Sequence, residues 1–417
     1  MGAGGTPPLR GIRVLDLTTF LSGPFATQIL ADLGAEVIKV ESPSGDSSRW
    51  IPPYFVEDDS AYFLAHNRNK RSIVIDLKRS EGAALLRNLI LASDVVVENF
   101  RPGVCERLGF GADDMRKQKP VLIWASISGF GQTGPWSDRP AYDMIVQALS
   151  GVMSLTGEPG GPAVRLGVPL GDLAAGMVSV IGVLAALADR TRSGTGRVVD
   201  VSMLDSLLTM LSYQSAYAMF SGRDPQPQGR AHDSIPTYRS FTAGDGREFV
   251  VTANTERMWQ SLCKVVGRPE LTGDPRFVDA KARLANRQAL WQILEEEIRR
   301  QPADVWVDQL VGAEVPAALI KGVLEALDDA EGAGRAMVLE LADPGGQRNV
   351  RVVGNPVQYA GQPQASATYP PRLGEHTADV LTQVLGLDSS EVERLVSLGV
   401  VAGARSSSPG VSVDGRR

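Results

Sequence analysis

Short apolar runs alternate with amphipathic stretches through the first two hundred residues. Ile12-Arg-Val-Leu-Asp-Leu17, Ala35-Glu-Val-Ile-Lys-Val40, Ser72-Ile-Val-Ile-Asp-Leu77, Asp94-Val-Val-Val-Glu98 and Val121-Leu-Ile-Trp-Ala-Ser126 read as strands. Between them, 24–33 carries helical spacing with Pro24 near its start and Gly34 just past its end, and 81–92 is a second helical stretch. Strands that are apolar on both faces are covered on both faces, which predicts a parallel sheet layered by helices. Two longer helical patterns follow, 173–190 and 203–220, separated by the strand-like run 197–201.

At Ser221-Gly-Arg-Asp-Pro-Gln-Pro-Gln-Gly229 the composition turns to Gly, Pro and polar residues, the mark of a linker. A new unit opens with 238–242 and 247–252, a predicted hairpin over Asp245-Gly246, followed by charged helices over 279–300. A second transition lies at 328–334, ahead of Val350-Arg-Val-Val353 and the turn Gly354-Asn-Pro356. From Ala402 onward the composition is that of a tail. The length of 417 residues exceeds what one core usually holds, so two domains are expected.

Charge and composition remove several function classes. A formal net charge of −6 without a basic stripe argues against a nucleic-acid binder. The two cysteines, Cys105 and Cys263, form no CxxC motif, which fits a reducing cytoplasmic setting and gives no zinc or disulfide scaffold. Three histidines without HExxH leave no metal site to expect. No apolar run of about 18 residues without polar interruption is evident, so no membrane span is expected. Gly129-Phe-Gly-Gln-Thr-Gly134 matches a dinucleotide fingerprint by letters, but Pro135-Trp-Ser-Asp-Arg-Pro140 follows where a helix should open. It is read as a glycine-rich turn beside a pocket.

Two stretches carry candidate chemistry. Asp172 lies in Arg165-Leu-Gly-Val-Pro-Leu-Gly-Asp-Leu-Ala-Ala-Gly176, a lone carboxylate among small residues at the start of an apolar helix. It fits first a helix N-cap, for which aspartate is a preferred residue, and second an ionised carboxylate aimed at a ligand, because helix N-termini favour anions. Asn99-Phe-Arg-Pro-Gly103 follows a strand directly, at the edge where open α/β sheets bind ligands, and its arginine suits phosphate.

Taken together, the chain resembles the class III CoA-transferases, the CaiB/BaiF family that includes formyl-CoA transferase and the α-methylacyl-CoA racemases. The resemblance rests on Gly11-Ile-Arg-Val-Leu-Asp with Gly23-Pro24, Leu33-Gly-Ala-Glu-Val-Ile-Lys-Val-Glu41, Asn69-Lys-Arg-Ser-Ile-Val-Ile-Asp-Leu-Lys78 and Val97-Glu-Asn-Phe-Arg-Pro-Gly103. It continues through Gly129-Phe-Gly-Gln-Thr-Gly-Pro135, the Asp172 segment and Leu373-Gly-Glu-His-Thr377. The resemblance implies an α/β fold: a large doubly wound, Rossmann-like parallel-sheet domain from 1–222 and 331–402, a smaller inserted α+β domain over 223–330, and a disordered tail over 403–417. It also implies an interlocked homodimer. No permanent cofactor is implied; coenzyme A thioesters and small carboxylic acids are the partners, with no nucleic acid and no membrane.

Residue by residue, the resemblance places Asp172 as the catalytic aspartate. Leu21, Ser22, Ser42, Ile75, Asp76, Leu77, Lys78, Asn99, Phe100, Arg101, Arg107 and Tyr142 take the CoA-contacting positions. Leu21 stands for a glutamine, Ser42 for an arginine and Pro140 for a lysine, so Arg49 or Arg139 is expected to supply the lost phosphate contacts; the glycine-rich lid of formyl-CoA transferase has no counterpart. Asp172 would pass acyl and CoA groups through aspartyl anhydride and aspartyl-CoA intermediates. The alternative is a 2-methylacyl-CoA racemase. The racemases carry a histidine thirty positions before the aspartate, where this chain has Tyr142, and a phenol with pKa near 10 is a weak base at neutral pH. The segment from Gly229 to Tyr238 is similar to that of members using succinyl-CoA with a dicarboxylate acceptor, which would set Arg230 and His232 against the acid's far carboxylate.

Overall fold

The computed structural model describes residues 6–344, 349–360 and 367–403; the expected tail, 404–417, lies outside them. The chain divides into two compact units, one of Met1–Val152, Leu166–Ala216 and Gly334–Arg417, the other of Met153–Arg165 and Tyr217–Ala333. The bounds differ from the expected 1–222 and 223–330: 153–165, 217–222 and 331–333 fall with the second unit. Met153–Arg165 belongs to the second unit, where the Gly229 N–H donates to the Gly157 carbonyl at 3.1 Å.

The first unit is built on β1 (Arg13–Asp16), β2 (Glu36–Glu41), β3 (Lys70–Ile75), β4 (Val95–Glu98), β5 (Ile123–Ser128) and β6 (Val198–Ser202). All six run parallel; the short C-terminal strand Val401–Ala402 adds antiparallel to β3. The order is C-terminal strand, β3, β2, β1, β4, β5, β6. From β1 the chain winds out to β2 and β3, then crosses back to β4 and continues the other way. That reversal is the switch point at which open α/β sheets leave a crevice at the strand carboxyl ends.

The helices that matter for the site are α1 (Ser22–Asp32), α2 (Ser80–Leu91), α3 (Asp143–Leu149), α4 (Leu170–Ser193), α5 (Met203–Met210) and α6 (Tyr213–Ser221). α1, α3, α4 and α5 cover one face of the sheet and α2 the other, as continuous apolar strands require. On one face Leu30, Val37, Ala125, Ala175, Val183 and Leu207 form a core; on the other Ile73, Leu86, Leu89, Trp124, Val380 and Leu395 do. The C-terminal segment closes the second face: the Ser72 carbonyl accepts the His376 N–H at 2.9 Å, and the His376 Nδ1 accepts the Ser72 N–H at 3.3 Å. His376 is therefore a backbone clasp.

Two expectations change. The pattern over 203–220 is two helices, because Ser212 takes the left-handed region (φ 52°) between α5 and α6. The expectation that no segment is apolar enough to span a membrane also fails: by length and composition, α4 is such a helix among the described residues. Its small residues explain the composition in another way. Ala174, Ala175, Gly176 and Ser179 are buried, and a Cβ on Gly176 would lie 2.8 Å from the Ser22 carbonyl oxygen and 3.0 Å from the Phe25 ring. Glycine there permits α4 to touch the first turn of α1.

The second unit has its own sheet of β7 (Tyr238–Thr242), β8 (Glu248–Thr252) and β9 (Ala317–Leu319), with β8 central and all pairs antiparallel. The β7–β8 hairpin turns over Asp245 and Gly246. Phe241, Phe249, Trp259, Leu262, Leu290, Leu294 and Trp306 fill the core between this sheet and its helices.

Candidate active site

The segment that leaves β1 organises the first unit's chemistry. Its five residues, Thr18 to Ser22, touch three things in turn: a buried ionic cluster, a cleft and Asp172.

The cluster draws on the carboxyl end of β1, on β2 and on the first residue of β3. Asp16, fully buried, accepts from Lys70 Nζ at 3.0 Å, Thr27 Oγ1 at 2.7 Å and Thr18 Oγ1 at 2.5 Å. Burial drives its carboxyl up, but Lys70, Lys39 and the two hydroxyls outweigh burial and hold it below the usual range. Lys39 pairs with Asp46 at 2.8 Å and donates to the Thr18 carbonyl at 2.8 Å. Asp46 in turn accepts the Phe20 N–H at 3.2 Å. Phe20 sits at φ 64°, an uncommon conformation for a bulky residue, which this buried partner helps to hold.

The cluster also corrects the assignment of Arg49 to phosphate. Arg49 is 1% exposed, makes a two-pronged pair with Glu41 (2.8 Å at each prong), bonds Asp59 at 2.7 Å and lies 3.6 Å over the Phe63 ring. Its guanidinium is consumed by the fold. Arg139 instead stacks over Trp136 at 4.4 Å, on the exposed glycine-rich turn. That turn continues from β5 as a loop, with the Gln132 N–H bonded to Asp200, so no helix presents it to a nucleotide.

The cleft, of about 510 Å³, opens where the switch point predicts, at the carboxyl ends of β1, β2, β3 and β4. Of the expected CoA positions it brings together Ser42, Ile75, Asp76, Leu77, Lys78 and Phe100, joined by Thr18 and Thr19 from the β1 segment. Lys78 is the cationic side chain on its wall. Asn99 shapes the wall from behind: it accepts the Thr19 N–H and donates to the Thr19 carbonyl, each at 2.9 Å. The Phe100 N–H donates to Glu98 at 2.8 Å, and burial pushes that carboxyl up to about 7. Arg101 and Arg107 are exposed on the loop and short helix beyond β4. Leu21 is buried in the fold and does not line the cleft.

Asp172 is reached three residues beyond Thr19. It occupies the first turn of α4, whose N-cap is Pro169. The capping reading of Asp172 is replaced by another residue: Asp143 of α3 accepts the Gly171 N–H at 2.7 Å and caps the helix from outside. The glycines beside Asp172 serve close packing. The Gly171 N–H is taken by Asp143, and a Cβ there would meet Val146 at 2.8 Å. Asp172 itself is half-buried and receives hydrogen bonds from the Ser22 hydroxyl and N–H at the start of α1. Burial, and then the charge of Asp143, push its carboxyl up to about 6 against those bonds.

Tyr62 feels Asp172, and with burial first its phenol is pushed up to about 12. His66 packs edge-on between Tyr62 and Phe25, and burial, with Lys70 and Arg68, lowers it to about 4, so it is neutral. Tyr142 is exposed and meets Phe20 edge-on at 6.2 Å. Tyr62, His66 and Asp143 were not foreseen as parts of one site: Tyr62 and His66 stand about eighty residues before Asp143 and more than a hundred before Asp172. Only the acidic residue directly after Tyr142 gave a signal. In the second unit, Arg230 bonds Glu248 at 2.5 Å and Ser240 at 3.1 Å, and His232 stacks on Tyr238 at 5.4 Å. Both cysteines are buried with raised pKa, so neither is a nucleophile at neutral pH.

The first unit thus pairs a crevice at the switch point of an α/β sheet with a half-buried carboxylate at a helix N-terminus. The sequence pattern described as CoA-transferase family III matches residues 9–377, and the chain belongs to that family. It is similar to the succinyl-CoA:glutarate CoA-transferase of Mus musculus, 38% identical over 94% of this chain and 90% of that protein. It is also similar to the acetyl-CoA:oxalate CoA-transferase of Acetobacter aceti, 43% identical over 85% of this chain and 90% of that one. The fold matches a crystal structure of a CaiB/BaiF family protein from Brucella suis with a TM-score of 0.82 and 36% identity, over 91% of this chain and all of that one. The protein is thus an enzyme that moves coenzyme A from an acyl-CoA donor to a carboxylic acid, and the racemase alternative gives way to transferase chemistry.

Proposed function

We propose that Asp172 is the nucleophile of this transfer, that the cleft between β1 and β4 holds coenzyme A, and that the substrates are succinyl-CoA and a small dicarboxylic acid. The observation that carries the reading is a carboxylate at two helix N-termini, buried enough to be raised to about 6 yet with hydroxyl and amide partners only. Above that pH it is ionised and poorly neutralised, the condition of an activated nucleophile. An Asp172 oxygen attacks the thioester carbonyl and the CoA thiolate leaves, giving a mixed anhydride. The thiolate then attacks the aspartyl carbonyl and expels the donor acid, leaving aspartyl-CoA. The acceptor carboxylate displaces the thiolate to form a second anhydride, whose acceptor carbonyl the thiolate takes. Asp172 is regenerated and no proton is consumed.

Ser22 supports the geometry because it ties Asp172 to the segment that lines the cleft through Thr18 and Thr19. Lys78, Arg101 and Arg107 are proposed for the phosphates, and Ser42, Ile75, Asp76, Leu77, Asn99, Phe100 and Tyr142 for positioning the nucleotide and pantetheine. Relatives named for glutarate and oxalate support a dicarboxylate acceptor, with Arg230 and His232 proposed for its second carboxylate. The proposed assembly is an interlocked homodimer. Support comes from the apolar exposure of Met144 and Ile145 on α3, and of Met177 and Ile181 on α4. Light scattering at micromolar concentration should give twice the chain mass; a stable monomer would rule the assembly out.

The test of the chemistry is mass spectrometry after incubation with succinyl-CoA, with hydroxylamine or borohydride trapping. The wild type should carry an adduct on the peptide containing Asp172, and acids added in turn should give new acyl-CoA products. Asp172→Ala should bind CoA, carry no adduct and transfer nothing. Normal turnover by that variant would end the anhydride reading.

A further inference from the structure

A second carboxylate stands behind Asp172, and its hydrogen bonds explain both where Asp172 points and why it is reactive. Asp143 opens α3, where Oδ1 accepts the Gly171 N–H at 2.7 Å and Oδ2 accepts Gln147 Nε2 at 2.7 Å. The Gln147 side chain is buried, and its Oε1 accepts the Leu166 N–H at 2.9 Å. One side chain thus fixes the first turn of α4, while its helical neighbour fixes the strand of chain that leads into that turn. The packing leaves no slack: Val146 of the same helix stands where a Gly171 side chain would go.

We infer that Asp143 is a positioning residue that caps the helix carrying Asp172 and raises the energy of its ionised form, so that attack on the thioester relieves a repulsion. The inference rests on the aspartyl nucleophile proposed above. In the first step Asp172 exchanges its charge for a neutral anhydride, and the negative charge departs on the thiolate. A fixed like charge nearby disfavours the state before the step more than the state after it. Capping by Asp143, in place of Asp172, leaves the nucleophile's own oxygens free of the α4 N-terminus. The groups facing Asp172 divide by sign of effect. Burial and Asp143 raise its pKa, Ser22 of α1 lowers it, and Tyr62 stays protonated beside it.

The experiment compares the pH dependence of kcat and kcat/KM for wild type, Asp143→Asn and Asp143→Glu, with hydroxylamine trapping on the same preparations. The wild-type acid limb should lie near 6. Asparagine keeps an acceptor for Gly171 but removes the charge, so the limb should fall by about one unit and the plateau kcat by roughly tenfold, with KM for the acyl-CoA changing less. Glutamate keeps the charge and should restore the limb toward the wild-type value. An unmoved limb in Asp143→Asn, with wild-type adduct still trapped at Asp172, overturns the role of Asp143 alone. Absence of the wild-type adduct overturns the nucleophile and this inference with it. If the asparagine variant does not fold, the glutamate variant decides, since a limb displaced by a unit or more despite the retained charge contradicts the inference.

Discussion

Asp16 and Asp172 are two aspartates of one unit, both removed from bulk water, and the fold treats them in opposite ways. Asp16 meets Lys70 at 3.0 Å, with Lys39 and two hydroxyls beside it, and its carboxyl is held below the usual range. Asp172 meets hydroxyl and amide donors on one side and another carboxylate on the other, and its carboxyl is pushed up to about 6. Burial alone therefore does not separate a structural carboxylate from a chemical one. The partner does. A carboxylate with cations is a joint of the fold, and one denied a cation is harder to ionise and carries a cost in stability.

That contrast can be broken by mutation, and the largest effect belongs to Asp16's side. Lys70→Met leaves Asp16 in the core with one lysine fewer, and Lys70 also donates to the Pro24 carbonyl at 2.9 Å and to Asn67 at 2.9 Å. The expected loss is about 3–5 kcal/mol, read by chemical denaturation at pH 7. A loss within error would mean that the cluster does not hold β1, β3 and α1 together. The smaller effect has the opposite sign. Asp172→Asn should be inactive yet more stable than wild type at pH 8. The folded carboxyl, near 6, holds its proton more tightly than an unfolded one near 3.8, so its contribution is most favourable in acid and is lost as pH rises through about 6. The gain at pH 8 is at most about 3 kcal/mol and should shrink toward zero by pH 4. Destabilisation at pH 8 would show that Asp172 is a structural cap after all.

Much of this arrangement was legible along the chain. The strands over the first half could be placed within two or three residues, because strands buried on both faces leave apolar runs that surface loops do not. The run of small residues around Asp172 pointed to close packing, and Gly176 against Ser22 is that packing. Errors arose where a residue's type allowed two fates. Arg49 looked available for phosphate, but two carboxylates and an aromatic face already hold it. The helical pattern over 203–220 hid a break, since a left-handed serine has no signature of its own. The electrostatics of Asp172 were misjudged. A helix N-terminus predicts an easily ionised carboxylate, and here burial and Asp143 outweigh it.

Local chemistry along the chain was enough for the parallel sheet, the helix carrying Asp172, the family and the absence of CxxC, HExxH and P-loop motifs. Those properties depend on neighbours a few residues apart or on the periodicity of burial. The placement of charges depended on folding. Asp143 reaches Gly171 across 28 residues, Lys70 reaches Asp16 across 54, and Pro371 meets Arg49 across 322. Coulomb energies and desolvation vary with distance in space and with exposure to water, neither of which is a property of position along the chain. Which carboxylate is neutralised by cations and which is left without one was settled only when β1, α1, α3 and α4 packed together.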